Sequence, residues 1–428
     1  MLIEFSVTNF LSIKERQTFS TIATSDDLHE ATNLISFKNK RYSKINVFYG
    51  ANASGKSNFF RALGFARWIV FNSNSLLENF TVPVIPFAFD EETKKQESTF
   101  EFIFVKNGTK YFYSFSCDST TVYSEHLEIY ENNKPKLIFN RSNISNYTFT
   151  SYKNDLEELT KKNTRNKLFL CTSANWNFEP TKAVVEFLIN DLCVQDTVSF
   201  DQSIILPNLE KITADGDMEN YKKFCLNLLA CGDFSITDFD IEIRSKEISE
   251  FPIEMQPIVN AIKALPTSSN DPFKEINLTT YHTIFQNGTP KKLSLKLKYE
   301  SLGTQALFKY APILFDVLKN GKVLVIDEID RSLHPLLVHA LIELFVSETN
   351  TSNAQIICNT HDTNLLDFAI FRRDEIWFVE RDPNSGVSVI YPLTDFSPRK
   401  NENIEKGYLL GRYGAIPFIR PVGDLWEK

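Results

Sequence analysis

The residues best suited to chemistry form one run, Gly50-Ala51-Asn52-Ala53-Ser54-Gly55-Lys56-Ser57. The spacing G-x-x-x-x-G-K-S fits a loop that wraps a polyphosphate. Its glycines let the backbone curl until successive N–H groups converge on phosphate oxygens. A helix starting behind the loop adds the positive end of its dipole. Lys56 would reach the β- and γ-phosphates, and Ser57 would ligate Mg²⁺. The alternative, a chance Gly-rich turn, would not need a strand in front and a helix behind. Both are in place: 45–48 reads as a short buried strand, and Phe59, Phe60, Leu63, Ala66 and Val70 recur at helical spacing.

A second constellation lies at 322–330, KVLVIDEID. Four apolar residues make a buried strand, and carboxylates follow at its C-terminal end, where open α/β sheets bind ligands. Asp327 is placed to hold Mg²⁺ through water. Glu328 is placed to orient and deprotonate an attacking water, help worth about 10²–10⁴-fold in rate. Roughly 270 residues separate Ser57 from Asp327, so two distant strands must meet in space. Upstream, Glu300-Ser301-Leu302-Gly303-Thr304-Gln305 opens a helix to about residue 318, with Ser301 as its cap and its N-terminus offered to an anion. Downstream, a strand at 355–360 ends in His361, which can hydrogen-bond a γ-phosphate or the attacking water.

The elements that must position these groups are legible in outline. Ile3, Phe5 and Val7 alternate with polar residues, and a strand near 19–22 can pair back with them. Strands at 99–105 and 111–115 join across Asn107-Gly108, a tight-turn dipeptide, and strands at 122–130 and 137–139 follow. From about 180 to 265 the pattern turns helical, at 184–192, 221–229 and 254–265, with one strand near 236–243. Tyr281, Thr283 and Phe285 then face Leu293, Leu295 and Leu297 across Asn287-Gly288, and the remainder alternates strand and helix. Lys161, Lys162, Arg165 and Lys167 read as a solvated helix face. The expected fold is α/β: a P-loop NTPase with a mixed, largely parallel sheet, an antiparallel β lobe and an inserted, mainly helical subdomain. The expected divisions are 1–179, 180–277 and 278–428.

Composition restricts the function classes. Of 428 residues, 43% are hydrophobic and 23% charged, ordinary for a globular protein. The 37 Phe residues suit a large β-rich core. The formal charge of −8 argues against a globally basic nucleic-acid binder, though not against a local basic patch. No apolar run approaches the roughly 18 residues of a membrane span, and the start MLIEFSVTNF lacks a signal-peptide pattern, so a cytoplasmic protein is expected. Six cysteines are scattered without a C-x-x-C pair, which speaks against zinc sites and disulfide frameworks.

The ordered set GANASGKS, SLGTQ, KVLVIDEID and a strand ending in His361 resembles the ABC-type ATPase heads of the SMC and RecF kind. The resemblance covers about the first 70 residues, including Asn9-Phe10-Leu11-Ser12, and nearly everything after Leu278. It implies two heads that clamp two ATP molecules, with Mg²⁺. Ser301 and Gly303 of one head would contact the γ-phosphate bound to the other. Asp330, Ser332 and Leu333 would form the loop that meets the partner copy. The signature departs from the usual Ser-Gly-Gly form by Leu302, and the Gln-bearing loop has no clear position; Gln96 lies in a polar hairpin. More narrowly, SLGTQ, VLVIDEIDRSLHP, NTHDTNLLD, RRDEIWFVE and RKNENIEKGYLLGRYGAIP resemble the AAA-family ATPases of bacterial abortive infection and anti-phage defence, of the AbiLi and RloA type. AriA and PtuA look like more distant relatives. That resemblance implies a defence ATPase working with a separately encoded effector, often a nuclease.

Several functions compete on these residues. The first is the ATP-gated defence ATPase. The second is a RecF-like repair ATPase that clamps nucleic acid, which needs a basic surface. A transporter ATPase subunit is opposed by the Asn9-Phe10 turn, the helical insertion and the altered signature. A slow nucleotide-dependent scaffold is opposed by Glu328. About 65 residues follow His361, fewer than an added nuclease domain usually needs, so no intrinsic nuclease activity is expected. The tail motif Gly411-Arg412-Tyr413-Gly414-Ala415-Ile416-Pro417 reads either as a packed terminal turn or as a partner-docking site.

Overall fold

The computed structural model describes residues 1–195, 202–232, 234–263, 273–331, 333–399 and 402–417. They divide into two compact units, 1–196 with 317–330 and 341–428, and 197–316 with 331–340.

The first unit contains two large sheets. One has seven antiparallel strands in the spatial order Asn146–Thr148, Lys134–Ser142, Val122–Glu131, Thr109–Cys117, Ser98–Lys106, Leu2–Thr8 and Gln17–Ser20. Alternation drives one face inward, so Phe100, Phe102 and Phe104 are buried while Thr99, Glu101 and Ile103 between them are not. Asn107 (φ 51°) and Gly108 (φ 72°) supply the two left-handed residues of the expected hairpin turn.

The other sheet has six strands, ordered Leu192–Gln195, Val323–Ile326, Gln355–Asn359, Ile45–Tyr49, Ile376–Arg381 and Ser388–Pro392. All neighbours are parallel except the last pair. The four strands Leu192–Gln195, Val323–Ile326, Gln355–Asn359 and Ile45–Tyr49 therefore end on one edge of the sheet. The helix Lys56–Asn72 packs against both sheets. Its Phe59 meets Phe5 of the antiparallel sheet at 5.4 Å and Phe48 of the parallel sheet at 5.5 Å between ring centroids. This aromatic seam is where the abundant phenylalanine goes.

The second unit carries the helices Gln202–Ala214, Met218–Cys231 and Gln256–Lys263 and a three-stranded antiparallel sheet, Ile236–Ser245, Lys274–Gln286 and Thr289–Lys296. Tyr221, Phe239, Phe308 and Phe315 form its aromatic centre.

Three expectations need correction. Residues 184–192 are not one helix: the helix Glu179–Glu186 passes through a π turn, Phe187–Asp191, into the strand Leu192–Gln195, which pairs with Val323–Ile326. A short strand of three apolar residues and a glutamine behind a helix cannot be told from more helix by periodicity alone. The hairpin around Asn287-Gly288 joins the sheet of the second unit, and Leu293 and Leu295 face His282 and Thr280, while Tyr281, Thr283 and Phe285 face Ser294, Lys292 and Pro290 instead of the leucines. The divisions at 180 and 277 thus differ from the observed unit boundaries. Lys161, Lys162, Arg165 and Lys167 lie beyond the helix Lys153–Thr160. Lys162 sits over the Trp176 ring at 3.1 Å, and the carbonyls of Arg165 and Lys167 accept from the buried Arg141 guanidinium. Those carbonyls are needed for Arg141, so the segment turns. The helix expected over 254–265 is seen at Gln256–Lys263, and its expected end lies outside the described residues.

Among the described residues no helix is long and apolar enough to cross a membrane. No group of metal-ligating side chains stands ready-made among them. The tail is packed: Tyr413 is buried, its carbonyl accepts from the Tyr391 hydroxyl at 2.9 Å, and the Ala415 carbonyl accepts from the Tyr408 hydroxyl at 3.1 Å.

Candidate functional site

The strand Ile45–Tyr49 delivers the chain to Gly50, and the loop turns through Ala53 (φ 62°) and Gly55 (φ 105°) into the helix starting at Lys56. Gly55 lies in the left-handed region that side chains avoid. A Cβ there would also stand 2.3 Å from Ser388 Oγ and 2.7 Å from Ser12 Oγ. A Cβ on Gly50 would stand 2.4 Å from the Val379 carbonyl. The two invariant positions of the pattern are thus glycine because other backbone and hydroxyl groups close in on the loop.

Lys56 is 5% exposed and donates to the carbonyls of Gly50 (2.7 Å) and Ala51 (3.1 Å). Burial lowers its pKa to about 8, while Asp327, Glu328 and Asp330 pull it up. An ammonium buried with its hydrogen bonds to carbonyls and the carboxylates out of direct contact is poorly compensated, and a phosphate would relieve it. Ser54 Oγ is buried and has no hydrogen-bond partner, another polar group left for a ligand. Ala51 is half-buried, and Asn52 and Ala53 are exposed at the loop's outer turn.

Strand Val323–Ile326 ends beside the loop. Ser57 Oγ donates to Asp327 Oδ1 at 3.0 Å, closing the 270-residue gap that the sequence leaves open. Burial pushes the Asp327 carboxyl up, against hydrogen bonds from Asn359 and Ser57. A hydroxyl and a carboxylate in contact are the oxygen donors Mg²⁺ takes. Glu328 has φ 55°, uncommon for a residue with a side chain and often found at functional sites. Asn359 holds that turn: its Oδ1 accepts from Glu328 N at 2.7 Å, and its Nδ2 donates to Asp327 Oδ1. One side chain therefore aligns both carboxylate residues.

His361 follows the next strand, its backbone N–H donating to Asp330 Oδ2 at 3.1 Å. Burial and the Lys56 charge hold the imidazole pKa below its usual value, so the ring is neutral near pH 7. Lys56, Ser57, Asp327, Glu328 and His361 all lie in the first unit. Ser301 and Gly303 belong to the second. Ser301 Oγ accepts from Thr304 N at 3.1 Å, the expected cap of the helix Leu302–Asn320. Gly303 is in that helix's first turn. Leu333 is buried, and Ser332 lies outside the described residues.

Three groups escaped the sequence reading. Asn359 is one polar residue after an apolar run, and its role depends on the neighbouring strand. Gln195 ends a strand that starts at the last residue of the expected 184–192 helix; its carbonyl accepts from Asp327 N at 3.0 Å, and its buried Oε1 has no partner. Ser12 and Ser388 hydrogen-bond each other at 2.8 Å, and Ser388 also reaches the Ser54 carbonyl at 2.7 Å. Ser12 additionally accepts from Asn58 at 2.8 Å. They brace the loop from sequence positions too distant to pair by inspection.

Comparison with known families matches residues 45–175 and 232–367 to the model described as "AAA domain, putative AbiEii toxin, Type IV TA system". The chain belongs to this AAA-domain family. The matched span contains the phosphate loop, the capped helix, both carboxylates and His361, and leaves the tail outside. The fold is that of a P-loop NTPase with parallel and antiparallel sheets. Among solved structures the AAA-domain chain is similar to an SMC head bound to the C-winged helix domain of ScpA, at 12% identity and TM-score 0.46, covering 91% of this chain and 97% of that one. It is similar to the SMC head domain from Thermotoga maritima, at 15% identity and TM-score 0.40, over 91% and 98%. A third is the Smc head with an extended coiled coil bound to the C-terminal domain of ScpA derived from Pyrococcus furiosus, at 11% and 0.38, over 91% and 96%. No curated protein matches the chain.

Proposed function

We propose that this chain is an ATP-binding and ATP-hydrolysing head of the ABC type that dimerises around ATP. The observation that carries the reading is the meeting of Ser57 with Asp327, which brings Lys56, Glu328 and His361 to one loop. Lys56 binds the β- and γ-phosphates, together with loop N–H groups from Gly50 to Ser57. Ser57 and Asp327 hold Mg²⁺, which neutralises charge on the phosphates when bound. Glu328, fixed by Asn359, takes a proton from the attacking water. His361, neutral at pH 7, is a hydrogen-bond donor to the γ-phosphate or that water. Gln195, at the strand end beside Asp327, is the candidate for the Gln-bearing loop. Ser301 and Gly303 of a second copy complete the site in a head dimer.

The biological setting that fits best is bacterial anti-phage defence by abortive infection in the cytoplasm. In it the ATPase senses the invader and acts with a separate effector, a nuclease by resemblance, and has no nuclease activity of its own. Support comes from the family's toxin–antitoxin description and the tail motifs. The test uses purified full chain with Glu328→Gln and Lys56→Ala. Glu328→Gln should bind ATP, hydrolyse it slowly and double in mass by light scattering with ATP and Mg²⁺. Lys56→Ala should not bind ATP. A Glu328→Gln chain that binds ATP but stays monomeric rejects the dimer, and full ATP binding by Lys56→Ala rejects the site. Metal-dependent DNA cleavage that survives Lys56→Ala rejects the absence of a nuclease.

A further inference from the structure

Two cavities flank the phosphate loop within the first unit. The smaller, about 370 Å³, is bordered by Gly50, Asn52, Thr360 and His361. The larger, about 930 Å³, is bordered by Ala51–Ser54, Phe89, Arg381, Gly386 and the tail residues Ile416 and Pro417. His361 marks the smaller cavity as the side of the terminal phosphate. A nucleotide whose γ-phosphate lies there must carry its nucleoside away on the other side. The larger cleft is of a size that encloses small ligands.

Phe89 is the unusual residue in that cleft. It is 67% exposed, yet its ring is fixed on several sides. Phe87, itself buried, meets it edge-on at 5.7 Å. The Arg381 guanidinium lies over it at 5.5 Å and is held in turn by the Gly386 carbonyl, which accepts from Nε at 3.0 Å. Gly386 has φ 70°, and a Cβ there would come within 2.9 Å of the Phe89 ring. The hairpin backbone therefore closes onto the aromatic. Leaving a phenylalanine in water forgoes its hydrophobic stabilisation, and pinning it there also costs rotamer freedom. An uncovered but immobilised aromatic plane, beside a loop that holds phosphates, is what a planar heterocycle stacks on.

We propose that this cleft is the nucleobase subsite, that Phe89 is its stacking platform, and that it favours purine over pyrimidine nucleotides. The inference rests on the reading that Lys56 and Ser57 bind the phosphates. The larger π-face of a purine covers more of the ring, and Arg381 behind it anchors the plane through a cation–π contact. Phe89 is thus a specificity-determining residue that leaves the phosphate chemistry alone.

The experiment measures Kd for ATP, CTP and inorganic tripolyphosphate, with Mg²⁺, on the full chain by calorimetry. Wild type should bind ATP more tightly than CTP. Phe89→Ala should weaken ATP roughly tenfold, erase the ATP–CTP difference and leave tripolyphosphate unchanged. Phe89→Trp should keep ATP affinity, and its indole fluorescence should be quenched by ATP but not by tripolyphosphate. ATP binding unaltered in Phe89→Ala, or ATP and tripolyphosphate weakened together, overturns the subsite. An unquenched Phe89→Trp that still binds ATP does the same. If wild type binds tripolyphosphate and ATP equally well, the phosphate reading stands and this inference falls. If it binds neither, both fall.

Discussion

Lys56 is the group whose response to pH the structure sizes. Its ammonium is almost wholly buried, and burial brings its pKa to about 8 from the ordinary 10.5. Only the charged form attracts phosphate. At pH 7 roughly nine-tenths of the free protein carries that form, and at pH 9 roughly one-tenth, so the apparent Kd for ATP should rise about tenfold across this interval. A lysine of ordinary pKa would stay charged throughout and give almost no change. The sign follows from the lowered value: charge is lost as pH rises through about 8, and bound phosphate restores it. Binding above pH 8 therefore takes up a proton. The phosphate's own ionisation, near 6, lies below the window. Calorimetry in two buffers of different ionisation enthalpy measures the affinity and the proton uptake together. Lys56→Arg should abolish the pH dependence, whatever it costs in affinity, because a guanidinium stays charged. A wild-type Kd that is flat from pH 7 to 9, with no proton uptake, would refute the assignment of Lys56 as a buried, phosphate-relieved ammonium.

The remaining predictions concern the base, the loop and the core. Asn359→Leu removes the hydrogen bonds to Glu328 N and Asp327, so single-turnover hydrolysis should fall by at least tenfold with ATP affinity changed much less; equal losses in both would place Asn359 in binding. Glu328→Gln should lower kcat by about 10²–10⁴-fold with ATP still bound, and a near-normal kcat would remove it as the base. Gly55→Ala puts a methyl group 2.3 Å from Ser388 Oγ at φ 105°, so it should eliminate ATP binding while circular dichroism stays native; unaltered ATP binding would show that the loop can relax. Arg141→Ala leaves Glu125 buried beside the backbone N–H groups of Phe169 and Leu170, and should cost about 3–5 kcal/mol in urea unfolding. A loss under about 1 kcal/mol would mean that the antiparallel sheet does not depend on this pair.

Much of the first unit was legible because its signals are local. The hairpin at Asn107-Gly108, the alternation through Phe100 to Phe104 and the helix behind Lys56 each follow from neighbours in the chain. The strand Leu192–Gln195 was not legible, since Leu-Cys-Val-Gln after a helix fits either structure and only its partner Val323–Ile326 decides between them. The same holds for the hairpin at Asn287-Gly288: its turn was readable, but its sheet partner Ile236–Ser245 lies before the helix Gln256–Lys263 and had to come from tertiary pairing.

The sequence by itself determined the ligand chemistry: one lysine and one serine at fixed spacing behind glycines, and two carboxylates at the end of an apolar strand. Those choices depend on side-chain type and on separations of a few residues, which the chain states directly. The tertiary structure alone decided what makes them a site. It set Ser57 against Asp327 and placed Asn359 to hold Glu328 in a left-handed turn. It also drew Ser12 and Ser388 onto Gly55, 376 residues apart from each other. Such contacts arise where parallel strands finish on one edge, and strand order is fixed by burial of whole faces rather than by any local motif.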